Sequence, residues 1–123
     1  MVLAIRWNAP TILLSMNAVL VLVVGIMCLM GDASALPELM QVDNLHVVRA
    51  LGHELITVFC LMACAIVNNF AQRACPFFAF ALLVSVRTHL MAGDLGGGLL
   101  NLCIAVVHFY LGCLWREYDE SKT

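Results

Sequence analysis

The sequence predicts an all-α integral membrane bundle of four transmembrane helices, with both termini on the cytoplasmic or matrix side. Three observations predict it. First, the 123 residues are 63% hydrophobic and only 11% charged, whereas a soluble domain averages about 45–50% apolar and about 25% charged. A chain this short has too much surface to hide that much apolar side chain from water, and too many buriable groups to stay disordered. Second, the mean hydropathy is +0.99. Third, the charges are spaced so that they count the spans: none lies between Arg6 and Asp32, between Glu54 and Arg73, or between Asp94 and Arg116, and a shorter uncharged run separates Arg73 from Arg87. Residues 1–123 therefore read as a single transmembrane domain.

A bilayer core about 30 Å thick needs about 20 mostly apolar residues of helix. The first run predicts a helix over 11–30, with Pro10 at its start, where a missing N–H costs least. Arg6, the apolar stretch and Ala33-Ser34-Ala35 imitate a signal-peptide cleavage pattern, but the stretch is as long as a full span and exceeds the usual 7–15 residues. A second helix over 46–68 follows, with Asp43 or Asn44 suited to cap it. It carries Arg49, His53 and Glu54 inside the membrane. The third helix, 76–91, carries Arg87 and His89, and the fourth covers 97–115. The loop between the first two helices is long enough to cover the outer mouth, with Pro37 breaking any continued helix. Gly96-Gly97-Gly98 lacks the Lys and Ser or Thr of a phosphate-binding loop and reads as a tight turn into the last helix.

Orientation follows from Lys and Arg. Arg6, Arg73, Arg116 and Lys122 fall on the side that holds both termini and the 68–75 loop, while the opposite loops contain Asp32, Glu38, Asp43 and Asp94 and no Lys or Arg. The positive-inside rule places the basic side in the cytoplasm or matrix, with Trp7 and Trp115 at the same interface. The expected location is a mitochondrial inner membrane or a bacterial cytoplasmic membrane.

Ionisable groups inside a span are costly and mark function by default. Helices 2 and 3 run antiparallel, so at about 1.5 Å per residue Arg49, His53 and Glu54 lie roughly 3–11 Å below the outer boundary, and Arg87 and His89 roughly 3–8 Å below it. Asn101 on helix 4 has a similar depth. Four readings compete for this cluster. In the first, Glu54 pairs with Arg87 or Arg49 and fixes helix register, without adding net stability. In the second, Arg49 and Arg87 hold an anionic lipid headgroup or a partner carboxylate. The third makes His53 and His89 axial ligands of haem b, or places a quinone beside them. The fourth moves protons or ions through Glu54 with His53 beside it.

A second polar pair lies toward the inner side. Asn17 and His108, the latter about 10 Å from the inner boundary, are placed to hydrogen-bond and hold helices 1 and 4 together. The 6 cysteines form no CxxC pair. Cys28, Cys60, Cys64, Cys103 and Cys113 fall in spans, Cys75 at a helix end, and all read as small apolar residues that let helices approach. No metal site and no catalytic residue is expected. The net charge of −2 and the lack of a basic patch argue against a nucleic-acid partner. The tail Glu117-Tyr118-Asp119-Glu120 reads as solvated.

Gly52-His53-Glu54-Leu55, the loop Arg73 and the apolar span 75–86 together make residues 53–115 resemble the DoxX-like small membrane proteins. Those have four helices, an acidic residue early in helix 2, and an Arg in the following short loop; helix 1 here lacks their charged start. The resemblance implies a four-helix bundle associated with redox or quinone-linked partners, and it transfers no catalytic residue. The expected function is a non-catalytic accessory subunit of a larger membrane complex, respiratory or otherwise energy-transducing, packing lipid and partner helices. The alternatives are a haem- or quinone-binding anchor of an oxidoreductase and a small homodimeric transporter.

Overall fold

The computed structural model describes residues 4–36, 43–91 and 93–116; Pro37 and the acidic tail lie outside the described residues. Among these residues there are four helices and no strand: α1 (Ala9–Leu29), α2 (Leu45–Val67), α3 (Ala71–Met91) and α4 (Leu95–Phe109), which runs on into one π turn, Tyr110–Leu114. All four, the last taken through its π turn to Leu114, are long and apolar enough to cross a membrane.

The helix ends follow from short polar side chains and left-handed residues. Asn8 accepts from Thr11 N, Asn44 from His46 N and Asp94 from Gly97 N, so each satisfies an amide that the first turn leaves orphaned. Of the two candidate caps before α2, Asn44 is the one used. The first three helices close with the same pair of reversed hydrogen bonds, N–H groups just beyond the end reaching carbonyls in the last turn. In α1 these are Gly31 N to Cys28 O and Asp32 N to Met27 O; in α2, Asn69 N to Ile66 O and Phe70 N to Ala65 O; in α3, Gly93 N to Leu90 O and Asp94 N to His89 O. The motif needs a left-handed residue, supplied by Gly31 at φ +85°, Asn69 at +58° and Gly93 at +78°.

α3 starts at Ala71 rather than at Pro76, which shortens the expected 68–75 loop to residues 68–70 and puts Arg73 in the first turn of the helix. The loop closes tightly because Asn69 can take a left-handed backbone, and its side chain then accepts from Arg6 N at 2.7 Å and donates to Ala4 O at 3.2 Å. Pro76 lies inside α3, and its ring packs against Gly112 of the π turn. A Cβ at position 112 would lie 2.6 Å from both Cδ and Cγ of Pro76. The wide turn also brings Trp115 O to the Gln72 amide at 3.0 Å. The chain start, the 68–70 loop and the 110–116 segment thereby meet at one end of the bundle.

Packing divides the molecule into two hairpins. α1 packs chiefly on α2, and α3 chiefly on α4 and its π turn, with thinner contacts of α1 and α2 against α3. At the α1–α2 crossing a Cβ on Gly52 would meet Leu29 N at 2.7 Å and Gly25 O at 2.9 Å, so the backbones approach as only glycine permits. One buried cluster joins Leu14, Ala18, Met62 and Ala71; the other joins Cys28, Val48 and the loop residue Leu36. Only 17–22% of each span is buried inside the chain. Large apolar side chains, Phe77, Phe80, Leu99 and Val106 among them, stand exposed on the outer faces.

Candidate functional site

The polar side chains of the spans fall into two groups, one buried between the hairpins and one turned outward. Hydroxyls in the helices return their protons to the preceding turn: Ser15 to Thr11 O, Thr57 to His53 O and Thr88 to Val84 O. This satisfies them without a partner from another helix.

His108 is fully buried on α4. Its Nδ1 lies 2.8 Å from Ile104 O and its Nε2 2.8 Å from Asn17 Nδ2 on α1. A carbonyl can only accept, so Nδ1 carries the proton, Nε2 is the acceptor, and Asn17 donates. The neutral tautomer is thereby fixed from both sides. This bond joins α1 to α4 across a cavity of about 230 Å³ bordered by Asn17, Val58, Met62, Phe78, Asn101 and His108. A second cavity of about 310 Å³ lies toward Leu36, Leu51 and Ser85. The two share Leu20, Val21 and Asn101, so Asn101 borders both, its Nδ2 3.3 Å from Ser85 Oγ.

The outer cluster is arranged differently from the expected one. Arg49, His53, Glu54 and Arg87 are all exposed on the helix surfaces, and among the described residues no ion pair joins Glu54 to either arginine. The reason is geometric. The buried side of α2 carries Val48, Gly52 and Met62, and Arg49 and Glu54 lie to either side of it on exposed parts of the helix. Glu54 is also about 14 Å along α2, while Arg87 is only about 6 Å from the end of α3. His53 and His89 likewise share no site. His53 faces outward, whereas His89 is buried with Nδ1 2.8 Å from Asp94 Oδ2. Asn101 borders both cavities and meets Ser85 rather than the charges.

Asp94, which the sequence shows only as a loop charge, organises the α3–α4 turn. One carboxylate oxygen accepts from Gly97 N at 3.0 Å and the other meets His89. The Gly97 amide and then His89 hold its carboxyl below the usual range. A Cβ on Gly97 would collide with Asp94 Oδ2 and lie 2.7 Å from His89 Nδ1, which explains the glycine. An Asp followed three residues on by a helical amide, with a His five residues before it, was the legible signal. Among the cysteines, only Cys28 and Cys75 are buried as packing residues; Cys60, Cys64, Cys103 and Cys113 lie on outer faces, and all six are free. Among the described residues no group of three His, Cys, Asp or Glu side chains is placed to hold a metal ion.

No protein-family model, curated protein or solved structure matches the chain. The site is therefore read from its own residues.

Proposed function

We propose that this chain is a non-catalytic structural subunit of a membrane assembly, inserted with both termini on the cytoplasmic or matrix side of a bacterial cytoplasmic or mitochondrial inner membrane. The carrying observation is that Arg49, Glu54 and Arg87 stand exposed within the spans with no ion-pair partner among the described residues. An ionised group facing hydrocarbon costs several kcal/mol unless it snorkels or is paired. Arg87, near the outer end of α3, can reach a phosphate headgroup. Glu54 is too deep and too short to do so, and calls for a cation on another chain. The basic cluster of Arg6, Arg73 and Arg116 at one end supports the orientation. Replacing Glu54 by Ala is expected to reduce recovery of this chain with its assembly from gently solubilised membranes, while Glu38→Ala leaves it unchanged. Equal recovery of both variants would remove the role given to Glu54.

A second reading is favoured by the two cavities that share Leu20, Val21 and Asn101. They are apolar walls with amides at two levels, Asn101 and Asn17, which suits a flat amphipathic molecule with a hydrogen-bond acceptor, such as a quinone. Native mass spectrometry with added ubiquinone tests it: retention of one quinone by the wild-type chain and its loss in Asn101→Leu supports the reading, and no retention ends it.

A further inference from the structure

The outward face of α2 carries a repeat that the single chain does not use. His46, Ala50, His53, Thr57, Cys60, Cys64 and Val67 follow one another at intervals of four and three residues, and every one is exposed. This is the 3.5-residue period of the seam of a two-stranded left-handed coiled coil. Over seven residues the helix drifts only about 20° from it, so the stripe stays on one face. The side chains are small or able to hydrogen-bond, as helix seams in lipid require. The opposite face is committed: Gly52 abuts α1, and Leu51, Leu55, Val58 and Met62 border the cavities.

The charges flank this seam. Arg49 immediately precedes the seam residue Ala50, and Glu54 immediately follows the seam residue His53. These are the two flanking positions whose residues pair between parallel helices and set partner choice. Arg49 and Glu54 are five residues apart and on opposite flanks, so they cannot meet within one helix. A twofold axis along the membrane normal puts Arg49 of one copy beside Glu54 of the other, twice. A carboxylate side chain leans toward its helix N-terminus, which is the direction of the other copy's Arg49. Each chain thus carries both halves of a self-complementary pair, and the pairing leaves α2 with no net charge from these two residues.

We propose that α2 forms a parallel twofold homodimer seam through His46, Ala50, His53, Thr57, Cys60, Cys64 and Val67, closed by reciprocal Arg49–Glu54 pairs. The proposal rests on the reading that another chain completes these charges, and it names that chain as a second copy. The full chain in its native membrane, or in vesicles of phosphatidylethanolamine and phosphatidylglycerol, is treated with copper phenanthroline and run on a non-reducing gel. A disulfide-linked dimer is expected that survives replacement of Cys103 and Cys113 by Ser and disappears when Cys60 and Cys64 are both replaced by Ser. Arg49→Glu and Glu54→Arg, each expressed alone, should lower the cross-linked fraction about tenfold or more. When the two variants are co-expressed with different tags they should pair with one another, which also shows that each folds. A dimer linked through Cys103 or Cys113, or no recovery in the mixed pair, overturns the seam. Absence of any dimer while the chain co-migrates with other proteins overturns the second copy and leaves the subunit reading standing. A lone chain overturns both.

Discussion

The two hairpins solve the same problem with different chemistry. In α1–α2 the helices are held by shape: Gly25 and Gly52 let the backbones nearly touch, and Leu14, Ala18, Cys28 and Val48 fill the rest. In α3–α4 they are held by polar fasteners at both ends, His89–Asp94–Gly97 at one and Gln72–Trp115 with Pro76 on Gly112 at the other. The consequence is where the imidazoles go. Both hairpins carry exposed charges, Arg49 and Glu54 on the first and Arg87 on the second, but only the second buries histidines, His89 held by Asp94 and His108 by Ile104 O and by Asn17 of the first hairpin. His53 of the first hairpin is left on its surface.

That contrast can be broken at its strongest point first. Gly52→Leu forces a side chain into the α1 backbone and should cost about 3 kcal/mol or more, beyond ordinary overpacking, because Leu29 N and Gly25 O are backbone and cannot swing away. Unfolding in bicelles followed by tryptophan fluorescence would measure it. A change below about 1 kcal/mol would mean that the crossing is looser than described.

Next in size is the link between the hairpins. Asn17→Leu removes the donor to His108 Nε2 and should destabilise by about 1–2 kcal/mol, at the upper end for interhelical hydrogen bonds in membranes. The double variant Asn17→Leu with His108→Phe should recover part of that loss, since no buried acceptor is then left unpaired. Additive losses would show that the two side chains act separately.

The polar turn of the second hairpin should yield the smallest effects. Asp94→Ala removes a helix cap and is expected to destabilise less than Asn17→Leu does, read by the same unfolding assay. Because the Asp94 carboxyl is held below its ordinary value, its contribution is complete above the unfolded value of about 4. It is lost as pH falls through the lower folded value. Wild-type stability should therefore fall more steeply than that of Asp94→Asn below about pH 4, and parallel curves would deny the carboxylate this role.

Much of the fold was legible because the charges punctuate four apolar runs, each long enough for one helix, and each expected span has its helix within a few residues, α3 excepted. Pro76 misled that boundary: a proline inside a helix is normally costly, and nothing in the local sequence announces that Gly112, thirty-six residues on, accommodates its ring. The Asn17–His108 contact could be anticipated because depth alone brings two polar side chains to one level. The outer cluster could not be resolved that way. Depth puts Arg49, Glu54 and Arg87 in the same layer, but which way each points depends on how α2 and α3 are rotated about their axes, and for α2 the close approach that fixes this is made by Gly52, a residue with no polarity to read. Asp94 read only as a loop charge because its partners are a buried imidazole and a backbone amide, and the neighbouring glycines suggested only a turn.

The central claim, that another chain completes the charges on α2, is tested most directly by native gel electrophoresis of gently solubilised source membranes, with mass spectrometry locating this 13.5 kDa chain. Migration as an assembly of two or more chains is expected, shifting toward the single chain when Glu54 is replaced by Ala. Migration of the wild-type protein as a single chain would contradict it.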